Sequence, residues 1–295
     1  MKLLLTGANG FLGFYLSELL ITEGHELLAT GRGVCRLPYT NRERFSYASM
    51  ELTDRSQIHE LVNNFKPDQI IHAGAVGKPD DCELQPELAS HINTEGTRYL
   101  LEASHSVGAS FCYISTDFVF DGLKGNYQED DHRNPVNHYG KTKLEAELLT
   151  EKFEGDWSII RTVLVYGKPM TGRSNLLSIV QEKLSKGESY RVVNDQVRTP
   201  TYVGDLANGI ARVVNQKATG VFHISGEEIL TPYEMACQTA DYLKLDRSLI
   251  SKTNSDTFQQ PAKRPLLTGL NIQKAKQELG FSPISFAEGL KKTFG

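Results

Sequence analysis

The chain has 295 residues, of which 39% are hydrophobic and 23% charged, enough for one large domain with a sizeable buried core and too apolar for a disordered chain. The 36 acidic and 32 basic residues leave a formal charge of -4 with no block of like charge, which excludes the footprint of a nucleic-acid or anionic-membrane binder. The four cysteines, Cys35, Cys82, Cys112 and Cys237, stand far apart without a C-x-x-C pair, so free thiols in a cytoplasmic protein are expected rather than disulfides or zinc, and no metal site is expected.

The first half alternates short aliphatic runs with helix-like stretches, the pattern of a parallel sheet covered by helices on both faces. Strands are predicted at Lys2–Thr6, Glu26–Thr30, Gln69–His72 and Ser110–Ser115, with helices at Phe11–Thr22, Arg55–Phe65 and Glu87–Val107. A further helix is predicted at His138–Glu154, and the run SIIRTVLVYG that follows reads as one more strand. Later come a helix at Leu176–Lys186, a strand at Tyr190–Val193, a helix at Val203–Asn215, a strand at Val221–Ile224, a helix after Pro232 and one near the end. The expected fold is α/β: a doubly wound parallel Rossmann-type sheet with a smaller C-terminal substrate-binding region. Residues 1–165 form the dinucleotide-binding part in this reading, and 166–295 mainly the substrate region, with segments such as the Val203 helix returning to the main sheet. No run is long and apolar enough to predict a membrane span.

Gly7, Gly10 and Gly13 in TGANGFLG fall directly between the first strand and first helix. A dinucleotide pyrophosphate needs a tight turn, close backbone approach and a helix N-terminus, and glycines in this context supply all three. From Leu27 to Arg42 there is no Asp or Glu to grip a ribose 2′-hydroxyl, whereas Arg32, and less directly Arg36, can face a 2′-phosphate. NADP is therefore the preferred cofactor and NAD the second choice; solvated surface arginines are the bland alternative.

Tyr139 and Lys143 are four residues apart at the start of a predicted helix and so share a face. An ammonium beside a phenol favours its ionised form and makes it a usable proton donor and acceptor near neutrality. Ser115 and Thr116 end an apolar strand, and alternation lets only one of these hydroxyls reach the cleft.

These motifs together resemble the extended short-chain dehydrogenase/reductase family. Within it the chain is similar to the dTDP-4-dehydrorhamnose reductase branch over essentially its full length. The similar segments are IIHAGA ending at Ala75, STDFVFDG at 115–122, YGKTKLEAE at 139–147, RTVLVYG at 161–167, VNDQVRTPT at 193–201 and RPLLTGLNIQKAKQELGF at 264–281. The resemblance implies NADPH-dependent reduction of the 4-keto group of a dTDP-linked 6-deoxy sugar. Thr116 would position the keto oxygen, Tyr139 protonate it, and Lys143 tune Tyr139 and hold the nicotinamide ribose. Cofactor contacts are implied for Asn9, Phe11, Leu12, Ala73, Gly74, Ala75 and Asn93 beside the glycines and Arg32. Sugar-nucleotide contacts are implied for Asp117, Phe118, Glu129, Leu164 and Arg198, the last through the fit of its guanidinium to a diphosphate.

The chain departs from that branch at two places. Phe118 stands where STDYVF has tyrosine, and Val163–Leu164 where RTSWVY has Ser-Trp, which puts the exact sugar in doubt. Another nucleotide-sugar 4-ketoreductase or an epimerase, and a non-catalytic regulatory subunit of the kind that binds a methionine adenosyltransferase, are the alternatives. The partner expected is a small nucleotide sugar, without nucleic acid or membrane, with homodimerisation left open.

Overall fold

The computed structural model describes residues 1–39, 41–170, 174–257 and 260–295. The first half runs β1 (Lys2–Thr6), α1 (Phe11–Thr22), β2 (Glu26–Gly31), β3 (Phe45–Ser49), α2 (Arg55–Phe65) and β4 (Gln69–His72). Two short helices, α3 (Pro79–Leu84) and α4 (Pro86–Ser90), then lead through a π-helical turn at His91–Glu95 into α5 (Gly96–Val107), β5 (Ser110–Thr116), α6 (His138–Glu151) and β6 (Trp157–Thr162). The second half contains β7 (Val165–Tyr166), α7 (Leu176–Ser185), β8 (Tyr190–Val193), β9 (Thr201–Tyr202), α8 (Val203–Gln216), β10 (Gly220–His223), α9 (Pro232–Leu243), β11 (Ile250–Thr253), α10 (Gln273–Leu279) and α11 (Phe286–Phe294).

Among the described residues seven strands form an all-parallel sheet in the order β10-β6-β5-β4-β1-β2-β3. The order reverses between β1 and β4, the topological switch point at which ligands settle over the strand ends in such sheets. The strands alternate their side chains strictly. Leu3 and Leu5 of β1 pack with Leu16 and Leu20 of α1 and Ile210 and Val214 of α8 on one face. Leu4, with Ile70 of β4, packs with Ile58 and Val62 of α2 and Leu100 of α5 on the other. Each fully buried leucine of this kind contributes about 1.5–3 kcal/mol.

Local signals delimit the helices. Asp54 caps α2 by accepting from Gln57 N, Gly108 ends α5 at φ 68°, and Thr231 with Glu234 makes a reciprocal capping box at α9 behind Pro232. The predicted Glu87–Val107 helix is interrupted, because the π turn inserts at His91–Glu95 and brings Asn93 inward. The predicted strand across SIIRTVLVYG also breaks: Leu164 adopts φ 33° and separates β6 from β7. Strand β3 lies at the sheet edge and had no counterpart in the predicted elements.

The second half divides its material. β10 joins the sheet beside β6 and α8 packs on α1, while α7, α9, β8 and β11 enclose a separate small core around Val180, Val192, Ala236 and Ile250. Among the described residues no helix is long and apolar enough to cross a membrane.

Candidate active site

A continuous cleft of about 820 Å³ runs from the β1–α1 turn past the end of β5 to the second-half lobe. Its nucleotide end is built from glycines whose spacing is dictated by contact. Gly7 sits at φ 70°, and a Cβ there would meet the Ala73–Gly74 peptide at 2.8 Å. A Cβ on Gly13 would lie 2.4 Å from Gly7 O and 2.5 Å from Ala8 O, so only glycine lets α1 descend onto the turn. Gly10 is the N-cap of α1 and offers no side-chain acceptor, which leaves first-turn N–H groups available for an anion at the positive end of the helix. Gly10, Phe11, Leu12 and Gly13 line the cleft here, facing Ala73, Gly74 and Ala75.

Asn9 also lines the cleft, but its amide acts as a strut. Nδ2 donates to Arg32 O, Val34 O and Tyr47 Oη, at 2.8 to 3.2 Å, and Oδ1 accepts from Arg36 N at 2.9 Å. The loop that carries Arg32 and Arg36 is thereby fixed, and both exposed side chains border the cleft. Tyr47, whose hydroxyl lies 2.9 Å from both Gly31 O and Gly33 O, completes this clamp. It comes from β3, the strand that sequence patterning missed.

Below the Gly74 turn His72 is fully buried between Thr6 Oγ1 at Nδ1 (2.7 Å) and Thr97 Oγ1 at Nε2 (3.1 Å). Thr97 donates to Asn93 O and Thr6 accepts from Gly74 N, so the chain of bonds is complete when His72 is neutral with its proton on Nε2. Burial, helped by the nearby Lys143 charge, holds the imidazole down to about 3.

At the other end of the glycine turn α6 delivers Tyr139 and Lys143. Its N-cap Asn137 accepts from Gly140 N through Oδ1 and donates through Nδ2 to Lys263 O, pinning the first turn. A Cβ on Gly140 would stand 2.2 Å from Phe118 O, so α6 seats directly against the turn after β5. The Tyr139 and Phe118 rings meet edge-on at 5.8 Å. Lys143 Nζ donates to Ile114 O at 2.7 Å and lies 4.1 Å over the Tyr113 ring. Burial brings its ammonium down to about 7.

The end of β5 brings both of its hydroxyl residues to the cleft, where only one was expected. Ser115 Oγ donates to Glu147 Oε1 at 2.5 Å, and Thr116 beside it also lines the cleft. Thr116 Oγ1 accepts from Phe118 N and donates to Asp117 Oδ1 at 3.1 Å, while Asp117 Oδ2 accepts from Thr268 Oγ1. Burial raises the Asp117 carboxyl, against the pull of Arg198. Phe118 and Leu164 line the same space, Leu164 at its strained left-handed backbone position.

Three expected contacts are placed differently. Glu129 lies outside the cleft: its Oε1 accepts from His223 N, and it borders a separate surface pocket with Arg133, Glu151 and Lys274. Arg198 borders the cleft, but its guanidinium nitrogens donate to Val197 O, Leu266 O, Pro265 O and Gln196 Oε1, so the fork expected for a diphosphate holds the Pro265 and Leu266 carbonyls instead. Asn93 is buried away from the cleft and grips Val76 N and O and Thr142 Oγ1, acting on the cleft wall through Val76. Arg264, not foreseen, lines the cleft with its guanidinium clasped by both Asp80 oxygens at 2.5 and 2.7 Å. The only sequence signal for it was its position heading the 264–281 segment. Among the described residues no group of His, Cys, Asp and Glu is placed to hold a metal, and all four cysteines are free.

Comparison with known proteins bears on this geometry. The model of the family described as RmlD substrate binding domain matches residues 1–295. Methionine adenosyltransferase 2 subunit beta of Xenopus tropicalis is 34% identical over 84% of this chain and 73% of its own length. The dTDP-4-dehydrorhamnose reductase of Aggregatibacter actinomycetemcomitans is 29% identical over 98% of this chain and 97% of its own. A crystal structure of the Bacillus anthracis dTDP-4-dehydrorhamnose reductase in complex with NADP superposes with a TM-score of 0.87 at 29% identity, covering 99% of this chain and 98% of that one.

Proposed function

This chain belongs to the RmlD substrate binding domain family, and from that premise we propose that it is an NADPH-dependent reductase of the 4-keto group of a dTDP-linked 6-deoxy sugar, a dTDP-4-dehydrorhamnose reductase. One observation carries the reading: Thr116, Tyr139 and Lys143 line the same cleft as the Gly7–Gly13 turn, within a chain that aligns end to end with reductases of that name.

A nicotinamide dinucleotide suits the residues present. A cradle that any Cβ would fill, an uncapped helix N-terminus and the exposed Arg32 and Arg36 together offer sites for a pyrophosphate and a 2′-phosphate. When bound, such a cofactor supplies the hydride. The remaining work falls to the chain's own groups. Thr116 orients the ketone oxygen by hydrogen bonding, and Tyr139 delivers a proton to that oxygen as carbonyl becomes alcohol. Lys143, held against Ile114 O, lowers the cost of the tyrosinate left behind. The sugar nucleotide would extend toward residues 166–295, past Leu164 and Phe118.

The similarity to methionine adenosyltransferase 2 subunit beta favours a second reading, a regulatory subunit that keeps the cleft without turnover. The two separate in one assay. A reductase consumes NADPH with dTDP-4-dehydro-6-deoxy-L-mannose; a regulatory subunit binds NADPH, consumes none, and alters the activity of a methionine adenosyltransferase added to it.

A further inference from the structure

Glu147 follows Lys143 by four residues, so Tyr139, Lys143 and Glu147 stack along one side of α6. Its carboxylate is wholly buried and accepts four hydrogen bonds. Oε1 receives Ser115 Oγ at 2.5 Å and Arg161 Nε at 2.9 Å; Oε2 receives Arg161 Nη2 at 2.8 Å and Arg133 Nη1 at 2.9 Å. Arg161, itself 1% exposed, sends Nη1 to Glu129 O and to His223 Nε2, and His223 Nδ1 faces Asn271 O. One carboxylate thus ties the helix bearing Tyr139 and Lys143 to β5, β6 and, through His223, to β10 and the C-terminal segment.

A buried ion pair gains little net stability over an apolar packing of the same shape, because desolvation offsets the attraction. Its position explains it better. We propose that Glu147 is a positioning residue for the Tyr139–Lys143 pair: it fixes α6 on the sheet and, one turn from Lys143, favours the protonated form of that amine in a dry site. The catalytic meaning rests on the reductase reading; the electrostatic coupling does not.

Among the described residues no carboxylate forms an ion pair with Lys143, so its charge depends on more distant groups. Those facing it are Cys82 from α3, His72 from β4, Tyr113 from β5 and Tyr139 from its own helix. Facing Glu147 are Arg161 from β6, Arg133 from the segment before α6 and Glu151 from α6, with His223 of β10 behind Arg161. Burial pulls the Lys143 ammonium toward the free amine, and Glu147 is the foremost influence opposing it. Burial also opposes the charge on Glu147, but Arg161, Ser115 and Arg133 hold its carboxyl below the usual range. Neutralising Glu147 takes from Arg161 its paired carboxylate, while Arg133 keeps Glu151, and drives Lys143 toward the amine. Neutralising Arg133 leaves Glu147 less compensated and does the reverse.

The test is the pH titration of the Lys143 side-chain signal in cofactor-free protein labelled with [13Cε]lysine, the signal being assigned by its loss in Lys143→Met. Glu147→Gln should move the midpoint down by about one pH unit or more, and Arg133→Gln should move it up. In the reductase assay the alkaline limb of kcat/KM should follow in the same two directions. A folded Glu147→Gln protein with an unmoved midpoint overturns the proposal. Should that variant fail to fold, Arg133→Gln decides, since its side chain is 20% exposed; an unmoved or lowered midpoint there overturns it too. Opposite shifts in a chain that never oxidises NADPH would uphold the coupling and sink only the reductase reading.

Discussion

Mild acid should destabilise the protein through two buried histidines. His72 and His223 are both enclosed, and both are held down to about 3, by burial first and then by Lys143 and Arg161 respectively. Because the folded value lies below the unfolded value of about 6.5, the unfolded chain binds the extra protons, so the histidine contribution is present above that pH and is lost as pH falls. Between pH 6.5 and 5.5 each histidine removes about 1 kcal/mol, and the pair about 2 kcal/mol. Lys143 titrates mostly above this window, since burial brings it to about 7. Asp117, Glu129 and Asp205, which burial raises, take up protons in the folded state and act in the opposite sense as pH falls further. The narrow window therefore isolates the histidines best. Urea unfolding followed by the fluorescence of Trp157, the single tryptophan, and by circular dichroism would measure the loss. A change below about 1 kcal/mol, with an unaltered denaturant slope, would refute the claim that both imidazoles are locked in neutral form.

Other consequences follow from individual contacts. Gly13→Ala places a methyl against Gly7 O and Ala8 O, and should cost on the order of 1–3 kcal/mol in stability while abolishing NADPH binding measured calorimetrically. Arg32→Ala combined with Arg36→Ala should raise KM for NADPH about 10- to 100-fold, the worth of a charged hydrogen bond, and leave KM for NADH nearly unchanged. Thr116→Val should lower kcat about 100-fold or more, with NADPH affinity retained, because its hydroxyl stands at the cleft and outside the glycine turn.

The doubly wound sheet was legible because its buried strands and amphipathic helices impose different periods on the sequence. β1, α2 and β4 fall at the predicted limits for that reason, and α1, apolar almost all round, does so because the glycine turn opens it and Gly24 follows it. Strand β3 escaped because FSYAS is an edge strand, only half buried, and carries no continuous apolar run. The break at Leu164 escaped because VLVYG reads as unbroken strand; a left-handed leucine leaves no mark on composition. That Tyr139, Lys143 and Thr116 border one cleft could be anticipated from spacing and strand position. Glu129 and Arg198 could not be placed by motif, since their partners, His223 and the Pro265 and Leu266 carbonyls, lie far away in sequence and meet them only in the folded chain. Glu147 sat within the tyrosine-lysine motif itself, yet its burial against Arg161 depends on β6 lying beside β5.

The most direct test of the proposed reductase is the fall in NADPH absorbance when purified protein meets dTDP-4-dehydro-6-deoxy-L-mannose, with Tyr139→Phe alongside. Rapid oxidation by the native chain, lost in a folded Tyr139→Phe protein that still binds NADPH, is the predicted result. No oxidation by a native chain that binds both NADPH and the sugar nucleotide, or oxidation undiminished in Tyr139→Phe, would contradict it.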